Sequence, residues 1–245
     1  MIKKVLKTVC ILLAAVIIIA AGYVAYVFIS YHRLPNTDAA LTPEGGAAAA
    51  GRELTAVTWN VGFGAYSADY SFFMDGGTES RAYSREAAVQ NIAHAGDVLS
   101  AQDADFILLQ EVDFDSTRTY HLDERKLLQD TLSGYQTAFA QNYDSPYLFY
   151  PFLKPHGASK SGIMTLSLYG MDRFSRVSLP VETGVMKIVD LDRCYSKAYV
   201  EVEGGKTLCL FNAHLSANTS DGNVATEQLA PWLRTCSRSM KPETT

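Results

Sequence analysis

The strongest pattern along the chain is its first. From Thr8 to Tyr31 no residue is charged, and the run ILLAAVIIIA lies inside that span. At 1.5 Å per residue such a helix crosses a hydrocarbon core of ~30 Å. Lys3, Lys4 and Lys7 precede it, so the positive-inside rule places the N-terminus in the cytoplasm and the rest of the chain outside. The apolar region of a cleaved signal peptide runs only ~7–15 residues before a small-x-small site. This one is longer and no such site follows, so a single-pass anchor over residues 1–32 is expected, with the membrane contact at 8–31.

Residues 33–52, RLPNTDAALTPEGGAAAAGR, lack apolar periodicity and read as a linker. Folded patterning begins with ELTAVTWNVGFG, a strand that stops at Gly62 and Gly64. A helix is expected from about Arg85, with Ser84 as N-cap and Val89, Ile92, Ala93, Gly96 and Leu99 on one face. Phe106 to Leu109 are four apolar residues in a row, the pattern of a strand buried on both faces. A second helix is predicted from Asp123 to Ser133 and closes at Gly134. Thereafter strands dominate: SGIMTLSLY, then KAYVEVE and KTLCLFNAHL as a hairpin on Gly204-Gly205. The order predicts a mixed, layered α/β domain over 53–230. A further helix starts in DGNVATEQLA, Pro231 interrupts it, and 231–245 reads as a tail unrelated to the fold.

Composition sharpens this picture at two points. The net charge is -5, but four of the 21 basic residues lie in 1–33, which contains no acid. The remainder therefore carries 17 basic against 26 acidic residues, or -9, which argues against a nonspecific grip on nucleic acid. Of the four cysteines, Cys10 lies in the apolar span and Cys236 has no assigned role. In the predicted hairpin Cys209 faces Val200, leaving Cys194 six positions away and beyond disulfide reach.

The chemistry gathers at three strand ends. TWN ends at Asn60, LLQE at Glu111 and FNAHL at His214. Alternation puts Leu208, Leu210, Asn212 and His214 on one face, so an amide and an imidazole emerge as the strand leaves the core. Polar groups at the carboxyl ends of neighbouring strands are where open α/β sheets place their sites. A carboxylate suits a hard divalent cation, an amide orients ligand or metal-bound water, and an imidazole meets the negative phosphoryl oxygens. A metal on Glu111 would explain why a core strand ends in an acid. The plainer alternatives are a salt-bridged surface carboxylate for Glu111 and a hydrogen-bonded core imidazole for His214. Arg193 reads as a phosphate contact or as a surface ion pair, and His156 and Lys160 as solvated loop residues. YSADYSFF and NYDSPYLFYPF suit either a substrate rim or edge packing.

TWNVG, DFILLQEVD, SGIMTLS and FNAHLSA, in this order, resemble the endonuclease/exonuclease/phosphatase superfamily across about residues 54–229. The resemblance implies a DNase I-like four-layer α/β sandwich, preceded here by one transmembrane helix. It implies a metal-dependent phosphoester hydrolase acting on nucleic acid, a lipid headgroup or a sugar phosphate, with Mg2+ or Mn2+ as cofactor; no protein partner is implied. Asn60 matches the family's first-strand active-site Asn and is expected to share the metal with Glu111, which matches the family's metal-binding Glu, and His214 matches the His at the scissile phosphate. Asn212 fills the other polar place in that motif, and Ser161 and Gly162 match a mainly structural one. Two later family motifs, Gly-Asp-x-Asn and Ser-Asp-His, have no match, and after Asp221 the only acids are Glu227 and Glu243. The expectation is therefore a truncated, incomplete sandwich with uncovered apolar faces, weak metal binding and little turnover. The alternative is a non-catalytic, membrane-tethered binding module on the same fold.

Overall fold

The computed structural model describes residues 1–181, 192–216 and 223–239. Contacts divide the chain into Met1–Arg33 and Leu34–Thr245. The first unit is one helix, α1 (Ile2–Ser30), with a window of mean hydropathy 2.6 that is not buried at all. By length and composition it is able to cross a membrane.

The second unit is built on eight strands among the described residues: β1 (Thr37–Ala40), β2 (Ala56–Asn60), β3 (Phe106–Asp113), β4 (Gln136–Leu148), β5 (Gly157–Ser167), β6 (Met171–Ser178), β7 (Cys194–Val202) and β8 (Lys206–Ala213). They form two four-stranded sheets, ordered β1-β6-β7-β8 and β2-β3-β5-β4. β2 and β3 are parallel, joined through the helix α2 (Arg85–Ser100), and the other pairings are antiparallel. Alternation sorts side chains into two cores. Ile107, Leu109, Met164 and Leu166 meet Ile92 and Leu99 of α2 and Leu128 of α3 (Glu124–Thr131). Phe106, Ala140, Ile163, Phe174, Ala198 and Val200 fill the space between the sheets. Tyr195 lies on the opposite face of β7 from Ala198, and its hydroxyl meets Thr235 Oγ1 at 3.0 Å. That contact brings α4 (Asn223–Ser239) onto the outer face of the β1-β6-β7-β8 sheet, so helices flank the pair of sheets on both sides.

Several local expectations are corrected. Much of the segment 33–52 is bonded into the domain rather than a free linker. β1 pairs with β6 from Thr37↔Arg176 to Ala40↔Arg173, and Ala48 is fully buried in a bridge to Val202. Main-chain bonds hold this segment, so its side-chain pattern carries no signal of it. α2 turns its face slightly, burying Ala88 and Ala95 with Ile92, Gly96 and Leu99, because Ala88 packs against the turn at Gly62–Gly64. α3 closes at Leu132, not Gly134. The β7–β8 hairpin closes at Val202↔Lys206, giving a three-residue turn and placing Cys209 opposite Tyr199 instead of Val200. Cys194 and Cys209 are both free. α4 runs through Pro231 instead of ending there. The lost hydrogen bond, ~3 kcal/mol in an isolated helix, is offset by packing and by buried Gln228, which bonds Ser216 and the Pro180 carbonyl. Residues 231–239 thus belong to this helix, while 240–245, with Glu243, and also Asp221 lie outside the described residues.

Gly162, in the SGIMTLS motif, is a packing requirement. A Cβ there would lie 2.4 Å from the Ala140 carbonyl oxygen and 2.4 Å from the Phe139 ring. The carbonyl is held in the β4–β5 ladder and has nowhere to move. Gly162→Ala is expected to cost about 1–3 kcal/mol in denaturant titration, as overpacked cores do.

His156 is fully buried, not solvated. Its Nδ1 faces the Ser80 carbonyl at 3.1 Å, and its Nε2 faces Ser159 Oγ at 3.2 Å. A carbonyl only accepts, so Nδ1 carries the proton and Nε2 accepts from the hydroxyl. Burial, and then the Arg118 charge, lower His156 to about 4. The unfolded chain binds this proton near the ordinary imidazole value of 6.5. The neutral ring therefore contributes stability above that pH, and the contribution is lost as pH falls toward 4, by about 3 kcal/mol. Unfolding free energy should fall across that window, and His156→Gln should flatten the slope. Equal slopes in both proteins would refute the assignment.

Candidate active site

The site is built at the carboxyl end of β3, where a β-bulge interrupts the ladder. Leu109 pairs with Met164 and Val112 with Gly162, so Gln110 and Glu111 together oppose Ile163. Strict alternation would put Glu111 beside Leu109, in the core under the helices. The bulge instead returns Val112 to that core and turns Glu111 out of it. Glu111 adopts φ 57, a left-handed conformation that costs a non-glycine residue roughly 1 kcal/mol or more. The acid is thus at the tip because the backbone bends there.

Asn60 ends β2 directly beside Gln110. Its Oδ1 accepts the Gly62 N–H at 3.0 Å, which fixes the amide orientation, and its Nδ2 donates to Glu111 Oε1 at 2.8 Å. His214 follows β8, with Nε2 3.5 Å from the same Glu111 oxygen. Burial, then the charges of Arg193 and Arg118, lower His214 to about 3, so the ring is neutral at pH 7. The His214–Glu111 contact is therefore no ion pair. Glu111 is partly open to solvent, and its partners among the described residues are Asn60 and His214.

Asn212 does not join this cluster. It is buried between the sheets, where Nδ2 donates to the Leu109 and Met164 carbonyls, both at 3.1 Å, and Oδ1 accepts from Gln110 at 2.8 Å. One amide from β8 thereby clamps β3 and β5 of the opposite sheet just beneath the bulge. Arg193 is buried, not a surface residue, and its charge acts on His214. Lys160 pairs with Asp115 at 3.2 Å. In the two aromatic stretches, Tyr70 and Phe72 pack around buried Phe63, whereas Phe149, Tyr150 and Phe152 are exposed.

Arg118 escaped the sequence reading. It forms two bonds to Asp113, 2.9 Å from Nε and 2.8 Å from Nη2, and lies 3.7 Å over the Phe63 ring. Glu124, fully buried, accepts the Asp113 N–H at 2.8 Å, and burial and then Asp113 hold its carboxyl well above the usual range. Arg118 contributes positive potential at both Glu111 and His214. It sits in a short polar turn, STRTY, that has no motif to give it away.

The sequence profile of the Endonuclease/Exonuclease/phosphatase family matches residues 57–232, which include every member of this cluster. No curated protein sequence matches the chain. Among solved structures, an endonuclease/exonuclease/phosphatase from Beutenbergia cavernae DSM 12333 aligns with a TM-score of 0.51 at 23% identity, over 74% of this chain and 43% of that one. ANGEL2, a 2',3'-cyclic phosphatase, aligns with a TM-score of 0.50 at 15% identity, over 87% and 52%. The chain thus spans about half the length of these solved relatives, and the likeness to them is one of fold. With the profile running from β2 through the bulge and the Asn212 clamp into α4, the chain belongs to the Endonuclease/Exonuclease/phosphatase family.

Proposed function

We propose that the chain carries the cation- and phosphate-binding pole of a phosphoester hydrolase site, held at a membrane by α1. The observation that supports this reading is the meeting of Asn60, Glu111 and His214 from three separate strand ends. The donor set suits a hard divalent cation such as Mg2+ or Mn2+, which binds through one or two carboxylates and keeps most of its water. Glu111 would hold it, with Asn60 orienting the carboxylate. When bound, such a cation neutralises charge on a phosphoryl oxygen. His214, with Nε2 beside Glu111, would contact a phosphoryl oxygen held there. Buried Arg193 and Arg118 add positive potential beneath. Asn212 is a positioning residue that acts through Gln110 and the Leu109 carbonyl. The acid surplus outside residues 1–33 favours a lipid headgroup or sugar phosphate over nucleic acid.

The test is Mn2+ binding to the full chain in detergent, read by electron paramagnetic resonance. One weak site is expected, and Glu111→Gln should weaken it by on the order of tenfold or more. Equal binding by the variant would remove Glu111 from the site. A second reading, a non-catalytic binding module, is favoured by one observation. Among the described residues no group of three or more His, Cys, Asp or Glu side chains is placed to hold a metal. Mn2+-dependent cleavage of bis(4-nitrophenyl) phosphate that falls in the His214→Ala variant supports the enzyme. Binding without cleavage supports the module.

A further inference from the structure

We propose that the end of the domain carrying Glu111 and His214 lies against the lipid bilayer, with the β4–β5 connection inserted into its interfacial zone. The proposal rests on the membrane anchoring proposed above. Phe149, Tyr150, Phe152 and Leu153 in that connection are 52, 61, 81 and 102% exposed. Four large apolar side chains held outward in one short loop mark an interaction surface, not a scatter of single residues.

The loop is braced rather than frayed. Ser80 Oγ donates to the Lys154 carbonyl at 2.5 Å, and Arg81 Nε donates to the Pro155 carbonyl at 2.6 Å. The His156 N–H donates to the Tyr150 carbonyl at 3.1 Å, and Lys154 pairs with Glu79 at 2.8 Å. Phe73 and Phe152 each lie 5.8 Å from the Tyr150 ring. Its base is thus polar and bonded while its tip is apolar. Aromatic residues beside a charged rim suit the headgroup boundary of a membrane.

Connectivity argues for a bilayer as the occupant. Arg176 Nη1 donates to the Leu34 and Pro35 carbonyls, both at 3.0 Å, and the Ser178 N–H donates to Asn36 Oδ1 at 2.7 Å. The chain therefore enters the domain at the carboxyl end of β6. The same guanidinium donates through Nε to the Gln141 carbonyl at 2.6 Å. Gln141 pairs with Gly162, which pairs with Val112, so the entry point is level with the Glu111 bulge. From Gln141, β4 runs on to Leu148 and the apolar loop, roughly 20 Å further along at ~3.3 Å per residue. Both β3 and β4 are antiparallel to β5, so this extension points the way the end of β3 does. Only residues 31–33 separate α1 from Leu34, a connection of at most about 14 Å. The apolar loop outreaches the connection, so a bilayer that holds α1 comes within its reach.

The experiment uses the full chain in phosphatidylcholine nanodiscs, with Phe152→Trp, Leu153→Trp and, at the turn end of β8, Lys206→Trp. Lipids brominated on the acyl chain quench a tryptophan that reaches the bilayer. The fluorescence gained over the unsubstituted chain should be quenched at 152 and 153 and not at 206. Equal quenching at all three positions, in discs that retain the chain through an alkaline wash, overturns the inference and leaves the anchor standing. Loss of the chain from the discs overturns both. A blue shift at 152 without quenching identifies a protein surface or a second copy as occupant, and also overturns it.

Discussion

Arg118→Met is expected to destabilise the domain by about 3–5 kcal/mol, the cost of leaving a buried charge without its partner. Asp113 is wholly buried, and both its carboxylate oxygens accept from Arg118. Glu124 lies against it with a carboxyl held well above its usual range by burial first and Asp113 second. Methionine keeps most of the contact with Phe63 but strands the Asp113 charge. The Arg118→Met, Asp113→Leu pair should lose much less than the two single changes together, since apolar replacement of a buried ion pair is often nearly neutral. Urea unfolding of the four proteins, followed by near-ultraviolet circular dichroism, measures the coupling. Additive losses would mean that the two residues act independently.

Asn212→Asp should cost at least about 3 kcal/mol although it changes almost no volume. The amide donates to two main-chain carbonyls and accepts from Gln110. A carboxylate in its place would face the Leu109 and Met164 oxygens with nothing to donate, and those buried carbonyls would lose their partner, at about 1–3 kcal/mol each. The same substitution separates two roles for the residue. A clamp between the sheets loses stability, with site function lost only in step with folding. A group touching the phosphate would lose function in a protein that still melts like the parent. Thermal unfolding and Mn2+ affinity, measured on the same samples, decide between them.

Much of this was legible in the order of residues. Strands announce themselves by apolar runs, which is why Phe106–Leu109 and the Leu208–Leu210 face were placed correctly. Ser84 caps α2 as its side chain requires, accepting the Ala87 N–H at 3.1 Å. Short-range chemistry of this kind needs no knowledge of the rest of the chain. β1 was missed because a strand held by main-chain bonds to β6 needs no apolar pattern. α4 passed through Pro231 because packing offset a local penalty.

At the site the division is sharper. The residue types at the three strand ends, Asn60, Glu111 and His214, together with the apolar span of α1, follow from the sequence alone, because alternation and hydropathy are properties of the local chain. Their arrangement does not. The left-handed turn at Glu111 depends on which residues of β5 oppose it. The fate of Asn212 depends on carbonyls 103 and 48 positions away. The placement of Arg118 depends on Asp113 and Phe63 closing around it. Whether a polar side chain serves the site or clamps the core is decided by partners distant in the chain, and only the folded structure brings them together.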